Sequence, residues 1–165
     1  DTYFQQHLLM NVYPMAPMPK NDHSINPGSP VVDRGYMDYA PLFDAMHGAR
    51  WLLSPRPATL AQGSNASVNV FTLPNTPGVK RSLLIPIMLA APTQTSVQLT
   101  LNLGPSALDA LGRSTPPHSV ALNLLSPGHD STPKSLGAAT SGNHYEWVGE
   151  ISLVRGCAMV IALLS

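Results

Sequence analysis

From Ser96 to Leu103 the chain alternates polar and apolar residues without interruption: Ser-Val-Gln-Leu-Thr-Leu-Asn-Leu. Side chains on an extended strand point to opposite faces in turn, so a period of two over eight residues predicts a strand with one dry and one wet face. The dry face requires a second apolar surface to cover it. Frequent chain breaks restrict how that surface can be built: seventeen prolines and twelve glycines favour short strands and turns over long helices. Related patterns predict strands over residues 66–71, with Val68 and Val70 inward, and over 119–124, 145–153 and 158–164. Arg155-Gly156 is placed to form the tight turn between the last two. Residues 82–89 are apolar throughout but contain Pro86, which cannot donate to a ladder, so an edge or bulged strand is expected there. Residues 111–117 and 126–142 are polar and rich in breakers and are expected to be loops. The segment 50–165 therefore reads as an antiparallel β-sandwich of about seven strands, and the chain as mainly β.

Residues 1–49 differ in character and read as a separate strand–loop–helix unit. Residues 6–13 form a compact apolar run ending at Pro14, the length of a strand buried on both faces. Three prolines between Pro14 and Pro19 keep the loop after that run extended and stiff. Val32, Tyr36, Tyr39, Phe43 and Met46 recur at spacings of four and three, one face of a helix. Gly35 and Pro41 argue against a single long helix. They predict a turn or short helix near 31–38 and a second helix starting at Pro41, with Gly48 as its C-terminal cap. The acids Asp33, Asp38 and Asp44 are expected on the solvated side. The sandwich is expected to fold without residues 1–48.

Composition narrows the function classes. Lys plus Arg equals Asp plus Glu, for a formal net charge of +0. A nucleic-acid binder would carry a basic patch, and a polybasic membrane anchor a cationic cluster, so neither is expected. No apolar stretch approaches the roughly 20 residues of a transmembrane helix. Charged residues make up only 11%, well under the roughly 25% usual in globular proteins, so association with partner chains is expected. The single Cys157 lies in an apolar run and reads as a small buried hydrophobe, with Arg155 two residues away.

The densest polar cluster is Lys20-Asn21-Asp22-His23. It combines an ammonium, an amide, a carboxylate and an imidazole, groups that can grip paired hydroxyls of a polyhydroxyl ligand, with His able to act as acid or base. The competing reading is an Asx-type turn in which Asn21 and Asp22 bond local backbone. No His pair has metal-ligand spacing, and neither a Gly-x-Ser-x-Gly elbow nor a Gly-rich phosphate loop is present, so no metal or cofactor is expected. Asn65-Ala66-Ser67 matches an N-glycosylation sequon and points weakly to a secreted or lumenal location. Trp51 and Trp147 sit in apolar strands and are expected to pack in the core rather than stack on sugars.

The order of elements resembles the end of a (β/α)8-barrel glycoside hydrolase with an appended β-sandwich. Residues 11–17, Asn-Val-Tyr-Pro-Met-Ala-Pro, look like a last barrel strand. Asn21-Asp22-His23-Ser24-Ile25 looks like its substrate-side loop, residues 38–46 like the closing helix, and Arg50-Trp51-Leu52-Leu53 like the entry to the β domain. The resemblance implies a carbohydrate ligand contacted by Tyr13, Lys20, Asn21, Asp22 and His23. The catalytic carboxylates would lie on earlier barrel strands, outside this sequence. It also implies an upstream region or partner chain completing the barrel, and an isolated chain that is inactive. Two other classes fit the same residues: a non-catalytic β-sandwich that binds glycans or proteins, and a structural subunit of an extracellular or viral assembly.

Overall fold

A computed structural model describes residues 1–14, 30–73, 82–90, 94–112, 119–139 and 145–164, the side chain of Val32 excepted. The described residues form α1 (Thr2–Met10), α2 (Pro30–Met46), β1 (Arg50–Trp51), β2 (Ala58–Leu60), β3 (Ala66–Val68), β4 (Phe71–Leu73), β5 (Ser82–Leu89), β6 (Ser96–Leu103), α3 (Pro105–Ala110), β7 (Val120–Leu125), β8 (Lys134–Ala138), β9 (Tyr145–Ser152) and β10 (Cys157–Leu164). The chain is mainly β, and all strand pairs are antiparallel. A seven-stranded sheet runs β1-β4-β5-β10-β7-β8, with β3 also pairing β5, and a three-stranded sheet runs β2-β6-β9.

The alternating strand behaves as its pattern dictates. In β6, Val97, Leu99, Leu101 and Leu103 are buried while Gln98 and Asn102 are exposed. All eight of its residues pair with β9, from Ser96↔Ser152 to Leu103↔Tyr145. The dry face meets the larger sheet in one apolar cluster. Leu83, Ile85, Ile87 and Leu89 of β5 and Ala158, Val160, Ala162 and Leu164 of β10 face it from the other side. Large residues stand beside small ones: Ile87 pairs Ala158 and Leu83 pairs Ala162. Each fully buried Leu or Ile stabilises this interior by about 2 kcal/mol relative to exposure.

The alternate residues of the same two strands face the opposite way. Leu84 of β5 and Cys157 and Met159 of β10 join Phe4 and Leu8 of α1, and Tyr39, Leu42, Phe43 and Met46 of α2, in a second buried cluster. The molecule thus has three layers, two helices on a seven-stranded sheet on a three-stranded sheet. The central strands are covered on both faces, which explains why 82–89 and 157–164 are apolar throughout.

Several expectations are corrected. Residues 6–13 are not a strand: α1 covers Thr2–Met10 and places Phe4 and Leu8 on one buried face. Leu, Met and Gln before residue 11 favour a helix, and between Tyr3 and Asn11 no residue is β-branched. Asn11 ends α1 in the left-handed region, φ 52, while Val12 N–H reaches His7 O at 2.9 Å, closing the last turn as a helix-terminating motif. The opening unit therefore contributes two helices among the described residues, not a strand and a helix. Next, α2 is a single helix through Gly35 and Pro41, starting at Pro30. A proline that cannot donate is tolerated because the inner face of the helix around it is fixed by burial at Tyr39, Leu42 and Phe43. Gly35 is where the helices approach: a Cβ there would overlap the ring of Phe4. The cap expected at Gly48 holds, with φ 76 and Ala49 N–H bonded to Met46 O at 2.9 Å.

Pro86 is not on an edge. It pairs Met159 on one side without breaking that ladder. On the other side it faces Asn69, whose N–H donates to Pro86 O at 3.3 Å. The reciprocal bond needs an N–H that proline lacks, and there the neighbouring strand splits into β3 and β4 while keeping one register against β5. The stretch 126–142 is not all loop, since β8 lies within it. Trp51 is not in the core: it is 47% exposed, with its ring 5.6 Å from that of Phe71. Trp147 packs partly buried against the sandwich interior.

Candidate functional site

Of the residues read from sequence as ligand contacts, Lys20, Asn21, Asp22 and His23 lie outside the described residues. Tyr13 is described. It is half-exposed, its ring lies 5.6 Å from that of Phe43, and its hydroxyl donates to Phe43 O at 3.1 Å, which ties the segment after α1 to α2. Asn65 is exposed, as is Ser67 two residues on. Its carbonyl accepts from Ala90 N–H at 2.8 Å.

The strongest polar constellation lies elsewhere, where the α1 N-terminus, the middle of α2 and the β9–β10 turn converge. The turn is Arg155-Gly156. Both have positive φ, 54 and 78, and Val154 and Cys157 exchange backbone bonds at 3.0 Å across it, the geometry of a two-residue hairpin matched to strand twist. Arginine at a left-handed position is uncommon, and the fold holds it there by its contacts. Its Nη1 lies 2.7 Å from Asp38 Oδ2 and 3.6 Å from Asp1 Oδ1.

Asp38 corrects another expectation: it is fully buried, not solvated. Arg34, one helical turn earlier, donates from Nε to both its oxygens at 3.0 and 3.1 Å. The Asp38 backbone carbonyl accepts from Gly128 N–H at 2.7 Å, joining α2 to the loop after β7 as well. Burial by itself raises the Asp38 carboxyl. The guanidinium hydrogen bonds of Arg155 and Arg34 outweigh it and hold the group below the ordinary carboxylate value.

Gln5 and Tyr39 complete the network. Gln5 Nε2 donates to Tyr39 OH at 2.9 Å and to Arg155 O at 2.7 Å. Tyr39 OH in turn lies 3.3 Å from Asp1 Oδ1. Burial pushes the Tyr39 phenol up to about 12, so it is a neutral donor at ordinary pH. Beside these groups opens a cleft of about 320 Å³ lined by Asp1, Thr2, Gln5, Leu89, Ala90, Arg155 and Gly156. A second cleft of about 350 Å³ lies at the loop after β7, between Ser126 and Lys134.

Sequence reasoning missed this constellation. One signal was available: Asp38 sits beside Tyr39 and one turn before Leu42 on the buried stripe, with Arg34 at i−4. Arg155 gave none, because its partner is more than a hundred residues away. Among the described residues no group of three or more His, Cys, Asp or Glu side chains converges as a metal site. No helix of the described residues is long and apolar enough to cross a membrane. Cys157 is buried, and burial raises its thiol to about 12, the inert character expected of it.

No protein-family model, curated protein or solved structure matches the chain. Fold and site alone define the class: an antiparallel two-sheet β protein carrying a two-helix layer, pinned by one buried carboxylate between two guanidiniums.

Proposed function

We propose that this chain is the C-terminal portion of a carbohydrate-active, glycoside hydrolase-like protein. It is not catalytic alone, and supplies a substrate-side segment between α1 and α2 together with a supporting β domain. One observation carries the reading. The helical layer leaves Tyr3, Met10, Val12, Tyr13, Val31 and Met37 exposed, and residues 12–14, which come directly after α1, join no sheet among the described residues. Exposed aromatic and aliphatic side chains concentrated on one layer suit a surface covered by further protein. The Lys20–His23 cluster would then lie on the substrate side, with Asp22 and His23 contacting sugar hydroxyls. Intact mass and co-purification from the native source test this. A precursor or bound fragment rich in β/α units is the expected finding, and a solitary chain of this length would sink the reading.

A second reading is a non-catalytic glycan-binding module. It is favoured by the wet face of the three-stranded sheet, where Gln98 stands opposite Glu150 and Thr59 opposite Thr100, an array of amide, carboxylate and hydroxyl groups beside the exposed Val148. Retention on insoluble polysaccharide by the isolated chain would select it.

A further inference from the structure

We propose that Asn65 is an attachment site for an N-linked glycan, and that the glycan shields the open edge of β3. The site is independent of the barrel reading. Three observations carry it.

The first is where the fold puts the motif. Asn65-Ala66-Ser67 supplies the acceptor amide and, two residues on, the hydroxyl that an oligosaccharide transferase reads. A sequon is usable only where the folded chain leaves room for the product. Ala66 and Val68 of β3 pack against the sandwich interior, so strand alternation turns Ser67 to the other face. Asn65 and Ser67 are both exposed. A tight turn leads into the site, with Gly63 at φ 84 and Ser64 N–H bonded to Ala61 O at 3.2 Å.

The second is the amide itself. Asn11 and Asn69 donate their side-chain N–H groups to Ala49 O and Leu9 O, and so hold α1 in place. The Asn65 side chain makes no hydrogen bond with the described residues. Its nitrogen can therefore be substituted without loss to the fold. The backbone beneath it is fixed: Asn65 O accepts from Ala90 N–H at 2.8 Å, and Ala66 and Ser67 pair Leu89 and Met88. Transfer replaces one amide hydrogen. Nδ2 bonds to the anomeric carbon of a lipid-pyrophosphate-linked oligosaccharide, the bond from that carbon to the pyrophosphate oxygen breaks, and the lipid pyrophosphate leaves as the proton passes to solvent.

The third is what the glycan would cover. β3 pairs β5, and no described strand pairs with its other edge. An open edge is a template for pairing with another chain. Charged residues are only 11% and the formal net charge is +0, so charge repulsion guards that edge poorly. A bulky hydrophilic glycan rooted one residue before β3 guards it by volume.

Mass spectrometry of the protein from its native source, before and after peptide N-glycosidase treatment, tests the attachment. Release of a glycan that leaves Asp at position 65 is expected, and an unmodified Asn65 overturns the site. The full chain secreted from a eukaryotic host gives a second test. The wild type should carry one glycan, Asn65→Gln and Ser67→Ala none, and Ser67→Thr should retain it. An unglycosylated wild type, or a glycan that persists in Asn65→Gln, overturns the site as well. Asn65→Gln should keep the wild-type circular dichroism melt, so that the loss read is of the glycan and not of the fold. In light scattering over a concentration series, Asn65→Gln should associate at lower concentration than the glycosylated chain. Association at the same concentration overturns the shielding role.

Discussion

Two guanidinium groups meet one carboxylate where α2, the β9–β10 turn and the loop after β7 converge. Asp38→Asn keeps the shape and removes the charge, leaving Arg34 and Arg155 on a neutral amide. Losing one partner of a buried pair costs about 3–5 kcal/mol. Both arginines keep access to water here, so about 2 kcal/mol is expected, read as a lower urea midpoint at unchanged slope. The pH dependence has a definite sign. The folded carboxyl titrates below its unfolded value, so its contribution is present above about pH 4 and is lost as pH falls through the lower folded value. The Asn variant should lack that part of the acid-side decline, and an acid limb identical to the wild type would refute the assignment. Legibility at this scale depends on sequence separation. Gly48 as a cap, Cys157 as buried and Arg155-Gly156 as a turn depend on near neighbours and were readable. The burial of Asp38 depends on Arg155 and Gly128, and that of Gln5 on Tyr39 and Arg155, contacts that no local pattern encodes.

α1 and α2 act on the sheet as a cover. Without residues 1–48, Phe71, Leu84, Cys157, Met159 and Leu125 lose the side chains packed on them. The truncation is expected to retain strand content, because the interior between the two sheets is intact. It should melt at lower temperature and self-associate through the bared face, checked by circular dichroism melts and light scattering over a concentration series. A monomer melting as high as the full chain would show that the cover adds nothing. Among the elements, β6 was legible because one face is wet and the period of two survives. β5 and β10 announced burial by being apolar throughout, but their central place was obscured by Pro86, whose missing donor is absorbed by splitting the neighbouring strand. α1 was not legible as a helix because a short apolar run carries no period to separate helix from strand. The signal that decided it, Asn11 as a left-handed cap, looks like ordinary polarity before a proline.

The whole molecule shields one thiol and one phenol between its helical layer and its sheet. Both Cys157 and Tyr39 are raised to about 12 by burial, so their neutral forms favour the folded state below the ordinary thiol and phenol values, and that contribution is lost as pH rises towards about 12. Cys157 should react with a thiol reagent only through opening of the three-layer packing, at a rate that rises with added urea in parallel with global unfolding. Prompt labelling in native buffer at neutral pH would contradict the packing. The place of β10 has a further consequence. It is the last of the described strands in chain order, yet it lies between β5 and β7 in the middle of the larger sheet. On the ribosome, the β1–β5 half and the β7–β8 half have no common neighbour until translation has passed Leu164. Until then their inward edges stay open, and the molecule depends on β10 being made before those edges find each other's counterparts on neighbouring chains.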